Sequence, residues 1–255
     1  LASATPSLET LKNVKEEKYE VLKLNKRATG ANLPTYHAVD LKGKELHEGL
    51  SKELLEATQT ELDKGNQVLI FLNRRGYAPS MICKACGWIS NCDRCDALMT
   101  VHKNPLKLHC HHCEAQKPYP SKCPSCGSDD FLTYGFGTER VEEFLRGHFP
   151  DTKTLRIDSD STRKKESLNE YFDEIKKGEP IILLGTQLLA KGHHFPNVTL
   201  VGIIDADSGL FSADFRGSER VAQLMTQVAG RAGRDKKPGR VILQSYCLDH
   251  PQIEE

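Results

Sequence analysis

The sequence predicts an α/β fold: a parallel sheet with helices on both faces, interrupted by a small cysteine-rich insertion. Three observations predict it. Short β-branched runs alternate with helix-period segments, four CxxC pairs crowd into one stretch, and polar residues gather where the predicted strands end. Alternating strand and helix requires crossover connections, which lay strands parallel and place helices over both faces of the sheet.

Along the chain, strands are expected at Val68 to Leu72, Thr154 to Ile157, Ile181 to Leu184, Val198 to Ile204 and Val241 to Tyr246. Helical spacing links Val141, Phe144 and Leu145, then Leu168, Phe172 and Ile175, then Val221, Leu224 and Val228. An earlier helix carries Leu50, Leu54, Leu55 and Leu62 and stops at Gly65. The first 45 residues fit this unit poorly. Lys18 to Leu24 and His37 to Leu41 look like strands, and Gly30 and Pro34 between them mark a connector. The chain opens without Met on Ser3-Ala4-Thr5, as expected of a piece of a longer protein.

In a parallel sheet the functional loops lie beyond the carboxyl ends of the strands. Those ends are Asn73-Arg74-Arg75, Asp158-Ser159-Asp160, Gly185-Thr186-Gln187 and Asp205-Ala206-Asp207. The insertion leaves just past the first of them and is expected to project from the same edge.

Eight of the nine cysteines form Cys83/Cys86, Cys92/Cys95, Cys110/Cys113 and Cys123/Cys126. A two-residue spacer lets both sulfurs face one point about 2.3 Å away, so two such pairs build the tetrahedron that Zn²⁺ accepts, and four pairs make two sites. A disulfide framework suits small secreted chains that lack a core. At 255 residues and 38% hydrophobic content, with no secretory or membrane-spanning segment, this chain can bury a core unaided, and a reducing cytoplasmic setting is expected. Redox-active dithiols are a further reading, which predicts freely titrating thiols and no metal.

Leu98 to His102 and Leu106 to His109, separated by Lys103, Asn104 and Pro105, read as a hairpin. It favours nested pairing, Cys92/Cys95 with Cys110/Cys113 and Cys83/Cys86 with Cys123/Cys126; sequential pairing is the alternative. His102, His109, His111 and His112 are expected to be solvated or to lie outside the thiolate shell, and Cys247 to be a core thiol. From Cys83 to Gly127 six Lys/Arg face three Asp/Glu, a surplus cancelled by the charge of minus two on each four-thiolate zinc site. Net charge zero over the whole chain gives no hint of a polyanionic partner.

On a helix, Gln227, Arg231 and Arg234 would share one face, with Gly230 and Gly233 removing bulk beside two guanidinium groups. Such a face suits a phosphate oxygen or developing phosphoryl charge. The alternative is a glycine-rich helix end with solvated arginines. GxxxxGK[ST] is absent from the sequence, so the chain can offer arginines to a triphosphate but cannot cradle one alone.

Gln227-Val228-Ala229-Gly230-Arg231-Ala232-Gly233-Arg234 resembles the sixth motif of superfamily-two helicases, and Gly185 to Pro196 resembles the fifth. Ser3-Ala4-Thr5 is similar to the third, which ends the first RecA-like lobe. With Ser3 to Glu9, Phe71 to Pro79, the four CxxC pairs and Gly135 to Glu139, the combination resembles the PriA family of replication-restart DNA helicases (primosomal protein N prime).

That resemblance implies a RecA-like helicase lobe with a zinc-ribbon-like insertion, from an ATP-dependent 3′ to 5′ DNA helicase of bacterial cytoplasm that assembles primosomes at stalled forks. It divides the chain into a first-lobe remnant and connector (1–45), the second lobe (46–82 and 128–255) and the insertion (83–127). It also implies two structural Zn²⁺, with ATP and Mg²⁺ in the whole protein. Arg231 and Arg234 become arginine fingers supported by Gln227, Gly192 lets the backbone approach the nucleotide, and Thr186 and Arg74 hold DNA phosphates. Implied partners are forked or single-stranded DNA, primosome proteins, single-stranded-DNA-binding protein and the first lobe, with no membrane. His194 stands where many such helicases carry an acidic residue. The isolated chain is expected to be inactive. The rival function is a zinc-ribbon assembly platform on a non-catalytic α/β scaffold.

Overall fold

The computed structural model describes residues 2–24, 32–72, 81–95, 97–103, 105–133, 138–157, 165–186, 195–204, 206–207, 216–233, 237–250 and 253. In chain order, α1 (Leu8–Lys15), β1 (Thr35–Asp40), β2 (Leu46–His47), β3 (Leu50–Ser51), α2 (Lys52–Asp63) and β4 (Gln67–Leu72) precede the insertion. The insertion holds β5 (Met81–Cys83), β6 (Thr100–Lys103), β7 (Leu106–His109), β8 (Gln116–Pro118) and β9 (Phe131–Thr133). After it come α3 (Thr138–His148), β10 (Lys153–Ile157), α4 (Lys165–Lys176), β11 (Ile181–Gly185), β12 (Val198–Ile204), α5 (Gly217–Ala229) and β13 (Arg240–Ser245).

Six strands form one sheet in the order β1-β13-β12-β4-β11-β10, and every neighbouring pair is parallel. The two middle strands, β12 and β4, are buried at every residue, as strands covered on both faces must be. Alternate side chains point to opposite faces. Val68, Ile70 and Leu72 of β4 join the core that holds Leu54 and Leu55 of α2 and Val141 and Leu145 of α3. Leu69 and Phe71 join the other core, with Ile175 of α4 and Val221, Met225 and Val228 of α5. Each such aliphatic side chain contributes roughly 1.5–3 kcal/mol by leaving water. The expected architecture is therefore present, with two helices over each face among the described residues.

Leu50 lies in β3, outside the helix expected to carry it. The Ser51 hydroxyl accepts from the Leu54 N–H and starts α2 one residue later, which holds Leu50 in the extended chain while still fully buried. Lys18 to Leu24 form no strand; the stretch is exposed throughout, and the Lys18 and Tyr19 N–H groups donate to the Asn13 carbonyl (2.8 and 3.3 Å) in the turn after α1 rather than to a sheet edge. The strand expected at His37 to Leu41 exists as β1, and it joins the main sheet beside β13 although it falls within residues 1–45, which the sequence set apart from that unit. Its edge position explains the weak signal, since five of its six residues are exposed.

The insertion leaves the sheet after the central strand β4 and returns before α3. Antiparallel pairing of β5 with β9 forms its neck, and β6, β7 and β8 form its own small sheet. The expected hairpin is β6 and β7. Among the described residues, seven buried ones make the core here, Met81, Cys92, Met99, Val101, Leu108, Cys110 and Ala115. So small a core needs help from outside the hydrophobic effect.

Candidate metal centres and the helix-end site

Four knuckles of one design carry the eight cysteines. In each, the N–H of the leading cysteine donates to the carbonyl five residues on: Cys83 to Trp88 (2.8 Å), Cys92 to Ala97 (3.0 Å), Cys110 to Ala115 (2.8 Å) and Cys123 to Ser128 (2.7 Å). This turn aims both sulfurs of a pair inward. Cys83, Cys86, Cys123 and Cys126 converge on one point, and Cys92, Cys95, Cys110 and Cys113 on a second, which is the nested arrangement. Across the pairs the sulfurs lie 3.6 Å (Cys83 to Cys126), 3.8 Å (Cys86 to Cys123), 3.4 Å (Cys92 to Cys113) and 3.5 Å (Cys95 to Cys110) apart. Four sulfurs about 2.3 Å from a tetrahedral ion sit about 3.8 Å apart, so the donor set fits Zn²⁺ at both sites. Four thiolates leave no open position for water, which makes the role structural.

The thiols are unequal. At Cys86 burial works upward, but the Trp88 backbone N–H and the neighbouring thiols outweigh it and bring the pKa down to about 7. Cys92, holding the Arg94 N–H at 3.4 Å, also falls to about 7. At Cys95 and Cys126 the Ala97 and Ser128 backbone N–H groups pull downward, but burial and the hydrogen bonds to neighbouring thiols outweigh them and push the pKa up to about 12.

The outer of the two nested sites, that of Cys83, Cys86, Cys123 and Cys126, has its Cys83–Cys86 knuckle seated on the main sheet. Gly87, at φ +77°, lies so close that a Cβ there would stand 2.9 Å from the Tyr246 carbonyl oxygen, and the Gly43 N–H donates to the Lys84 carbonyl at 2.9 Å. Beneath it the Asp207 carboxylate accepts from Ser245 Oγ (2.5 Å) and the Tyr246 N–H (2.9 Å), tying the end of β13 to the residues that follow β12. Burial pushes the Asp207 carboxyl above the usual carboxylate range, against those hydrogen bonds. Sequence patterns gave Asp207 as one polar residue among several at a strand end; its partner Ser245 is 38 residues away. Cys247 is a half-buried thiol packed against the core, pushed up to about 12 by burial and then by Asp207.

At the other site, α5 ends at Ala229, so Gln227 and Arg231 do not share a continuous helical face. Gly230 caps the helix, and Arg231, 5% exposed, sits in the turn that follows. Gly233 has φ +60° and a Cβ there would stand 2.4 Å from the Gly239 nitrogen, so this glycine serves a backbone crossing. That crossing forces the chain out of the helix, which periodicity alone could not disclose.

Gln227 instead faces the amino-terminal segment. Its Nε2 donates to Thr5 Oγ1 at 2.8 Å. One and two turns earlier on α5, Gln223 Nε2 donates to the Pro6 carbonyl (3.3 Å) and Glu219 Oε1 accepts the Leu8 N–H (3.0 Å), while Arg216 pairs with Glu9. Glu219, Gln223 and Gln227 form an i, i+4, i+8 stripe, a pattern legible in the sequence but invisible as a site without its partner segment. Gln227→Ala removes one hydrogen bond worth about 1 kcal/mol, so amide exchange in α1 is expected to quicken about fivefold. Unchanged exchange would show that this contact does not hold the segment.

Thr186 lies half-buried just past the end of β11, on the edge where Asp207 and the outer knuckle also sit. Arg74, Gly192, His194 and Arg234 lie outside the described residues.

Residues 128–236 match the helicase conserved C-terminal domain, and residues 92–118 match the PriA DNA helicase Cys-rich region domain. A parallel RecA-like sheet interrupted by paired four-cysteine sites defines the class: a helicase carboxyl-terminal lobe carrying a zinc-ribbon insertion. Within that class the chain belongs with the PriA family. It is 52% identical to the replication restart protein PriA of Haemophilus influenzae over 99% of this chain and 35% of that protein. To the protein of the same name from Bacillus subtilis it is 42% identical, over 100% of this chain and 32% of that one. The chain thus spans about a third of the relatives it matches. In solved structures it is similar to Saccharomyces cerevisiae Dbp5 bound to RNA and ADP BeF3, with a TM-score of 0.47 and 14% identity over 96% of this chain and 44% of that one. No helix among the described residues is long and apolar enough to cross a membrane.

Proposed function

We propose that this chain is the nucleotide-sensing second lobe of an ATP-dependent 3′ to 5′ DNA helicase that restarts replication and assembles primosomes at stalled forks in the bacterial cytoplasm. The observation that carries the reading is the hydrogen bond from Gln227 to Thr5, which brings the segment resembling the third helicase motif against the one resembling the sixth. Residues 3–16 then belong to the first lobe. In support, α1 buries none of its residues, and Leu8, Leu11 and Val21 are 64%, 49% and 49% exposed, apolar surface suited to the rest of that lobe. Residues from Thr35 onward, apart from the 83–127 insertion, belong to the second.

ATP with Mg²⁺ binds to a phosphate loop on the first lobe, and this chain supplies the answering charge. Arg231, in the turn after α5, and Arg234 contact the γ-phosphate across the cleft as arginine fingers, with Gln227 coupling them to Thr5. Gly192 allows the backbone near the nucleotide. Thr186 and Arg74, at strand ends, hold phosphates of the tracked DNA strand, contacts that position it without reading sequence. The two zinc sites keep the insertion folded beside that edge, as a surface for fork DNA, single-stranded-DNA-binding protein or primosome proteins.

The test is to measure DNA-stimulated ATP hydrolysis and fork unwinding by the longer protein and by this chain alone. The longer protein is expected to do both, and the 255-residue chain, which has no GxxxxGK[ST], neither. A longer protein that binds forks without hydrolysing ATP would establish the rival reading, a zinc-ribbon assembly platform.

A further inference from the structure

We propose that His102, His109 and His111 form a third metal site, on the solvent face of the insertion, selective for a borderline transition-metal dication such as Zn²⁺, Ni²⁺ or Cu²⁺. The three rings each offer a nitrogen, and the three nitrogens lie within 4.8 Å of one another. His102 Nε2 and His111 Nε2 are 3.1 Å apart. Two imidazole nitrogens bound 2.0–2.1 Å from one tetrahedral ion sit about 3.3 Å apart, so this pair is already at ligand spacing.

The register of the small sheet builds the cluster. Thr100 pairs with His109 and His102 with Lys107, which makes His102 and His109 diagonal neighbours on one face. The opposite face carries Val101 and Leu108, 7% and 2% exposed, and packs into the insertion's core. His111 follows Cys110 into the knuckle turn, and its ring meets those of His102 and His109 with centroids 5.1 and 4.7 Å away. The turn also returns Glu114, whose Oε2 lies 2.9 Å from His109 Nε2. A carboxylate on a ligand histidine fixes the ring and raises its basicity. Glu114 holds φ +60°, a conformation its side chain tolerates at some cost.

This site differs in kind from the thiolate pair. It is nitrogen-rich and partly exposed, and three histidines leave a fourth position open to water or to a donor from a partner. Affinity should follow the usual order for imidazole donors, with Cu²⁺ strongest. A bound ion would cross-link β6, β7 and the Cys110 knuckle.

The experiment titrates the full-length protein, already carrying both thiolate-bound zincs, with Zn²⁺ in a calorimeter. One further ion per chain is expected. His102→Asn with His111→Asn should weaken that uptake at least a hundredfold, and Glu114→Gln about tenfold to a hundredfold, while elemental analysis still finds two zincs. His112→Ala should bind as the parent does. Uptake that stops at two ions, or a double variant that takes up the third like the parent, would overturn the assignment. Should the double variant lose a thiolate-bound zinc, His102→Gln, on the strand away from the knuckle, carries the test with the same readings.

Discussion

Arg231→Lys in the longer protein is expected to reduce DNA-stimulated ATP hydrolysis by roughly 10³ to 10⁵, the range over which arginine fingers act in phosphoryl transfer. The expectation rests on shape as much as charge. Arg231 is 5% exposed and held in a turn whose N–H groups are anchored at Val228 and Ala229, so its guanidinium can be delivered with little freedom to lose. Lysine keeps the charge but replaces a planar fork by a point donor on a flexible stem. DNA binding should persist, because Thr186 and Arg74, and not Arg231, are the residues proposed to hold the strand. Steady-state hydrolysis with saturating single-stranded DNA, alongside fluorescence anisotropy for binding, reads both quantities. Loss of hydrolysis with binding intact supports the sensing role; undiminished hydrolysis removes Arg231 from it.

Cys110→Ala should have the second largest effect, lowering bound zinc from two ions to one per chain and unfolding β6, β7 and β8 while the six-stranded sheet survives. Structural zinc supplies about 10–16 kcal/mol of apparent folding energy in small domains at neutral pH. The insertion has little to set against that loss, since two of its seven buried core residues are themselves ligands, Cys92 and Cys110. Elemental analysis gives the stoichiometry, and amide exchange shows where protection disappears. Retention of both zincs, or collapse of the main sheet, would contradict the arrangement described.

The sheet was legible because its central strands are apolar at almost every position and its helices keep strict spacing; Val68 to Leu72 could hardly be anything but a strand buried on both faces. The edge strand β1 was harder. Thr35–Asp40 buries one residue of six, so the sequence shows a strand but not the sheet to which it belongs. Metal pairing was legible for a local reason, the hairpin between Cys95 and Cys110. The histidine trio was not, since whether His102 and His111 meet depends on how the knuckle turns after Cys110. The helix-end site fell between these cases. The residues Gln227 and Arg231 stood out, yet their shared helical face dissolves at Gly230, because the backbone crossing of Gly233 over Gly239 is a contact between turns that no period encodes. Thr5 became part of the site through a partner 222 positions away.

Pairing of β5 with β9 has a consequence for how the two zincs come and go. The neck holds the Cys83 and Cys126 ends of the insertion together by backbone pairing at the main sheet, so the outer ion sits where the protein's own strands already join the chain. The inner ion joins Cys95 and Cys110, 15 positions apart, at the open end of the β6–β7 hairpin, where the insertion's small core gives it support. Under a chelator the tip should empty first and the base last. The insertion is therefore a structure expected to be dismantled from its far end and rebuilt on the root that lets go last.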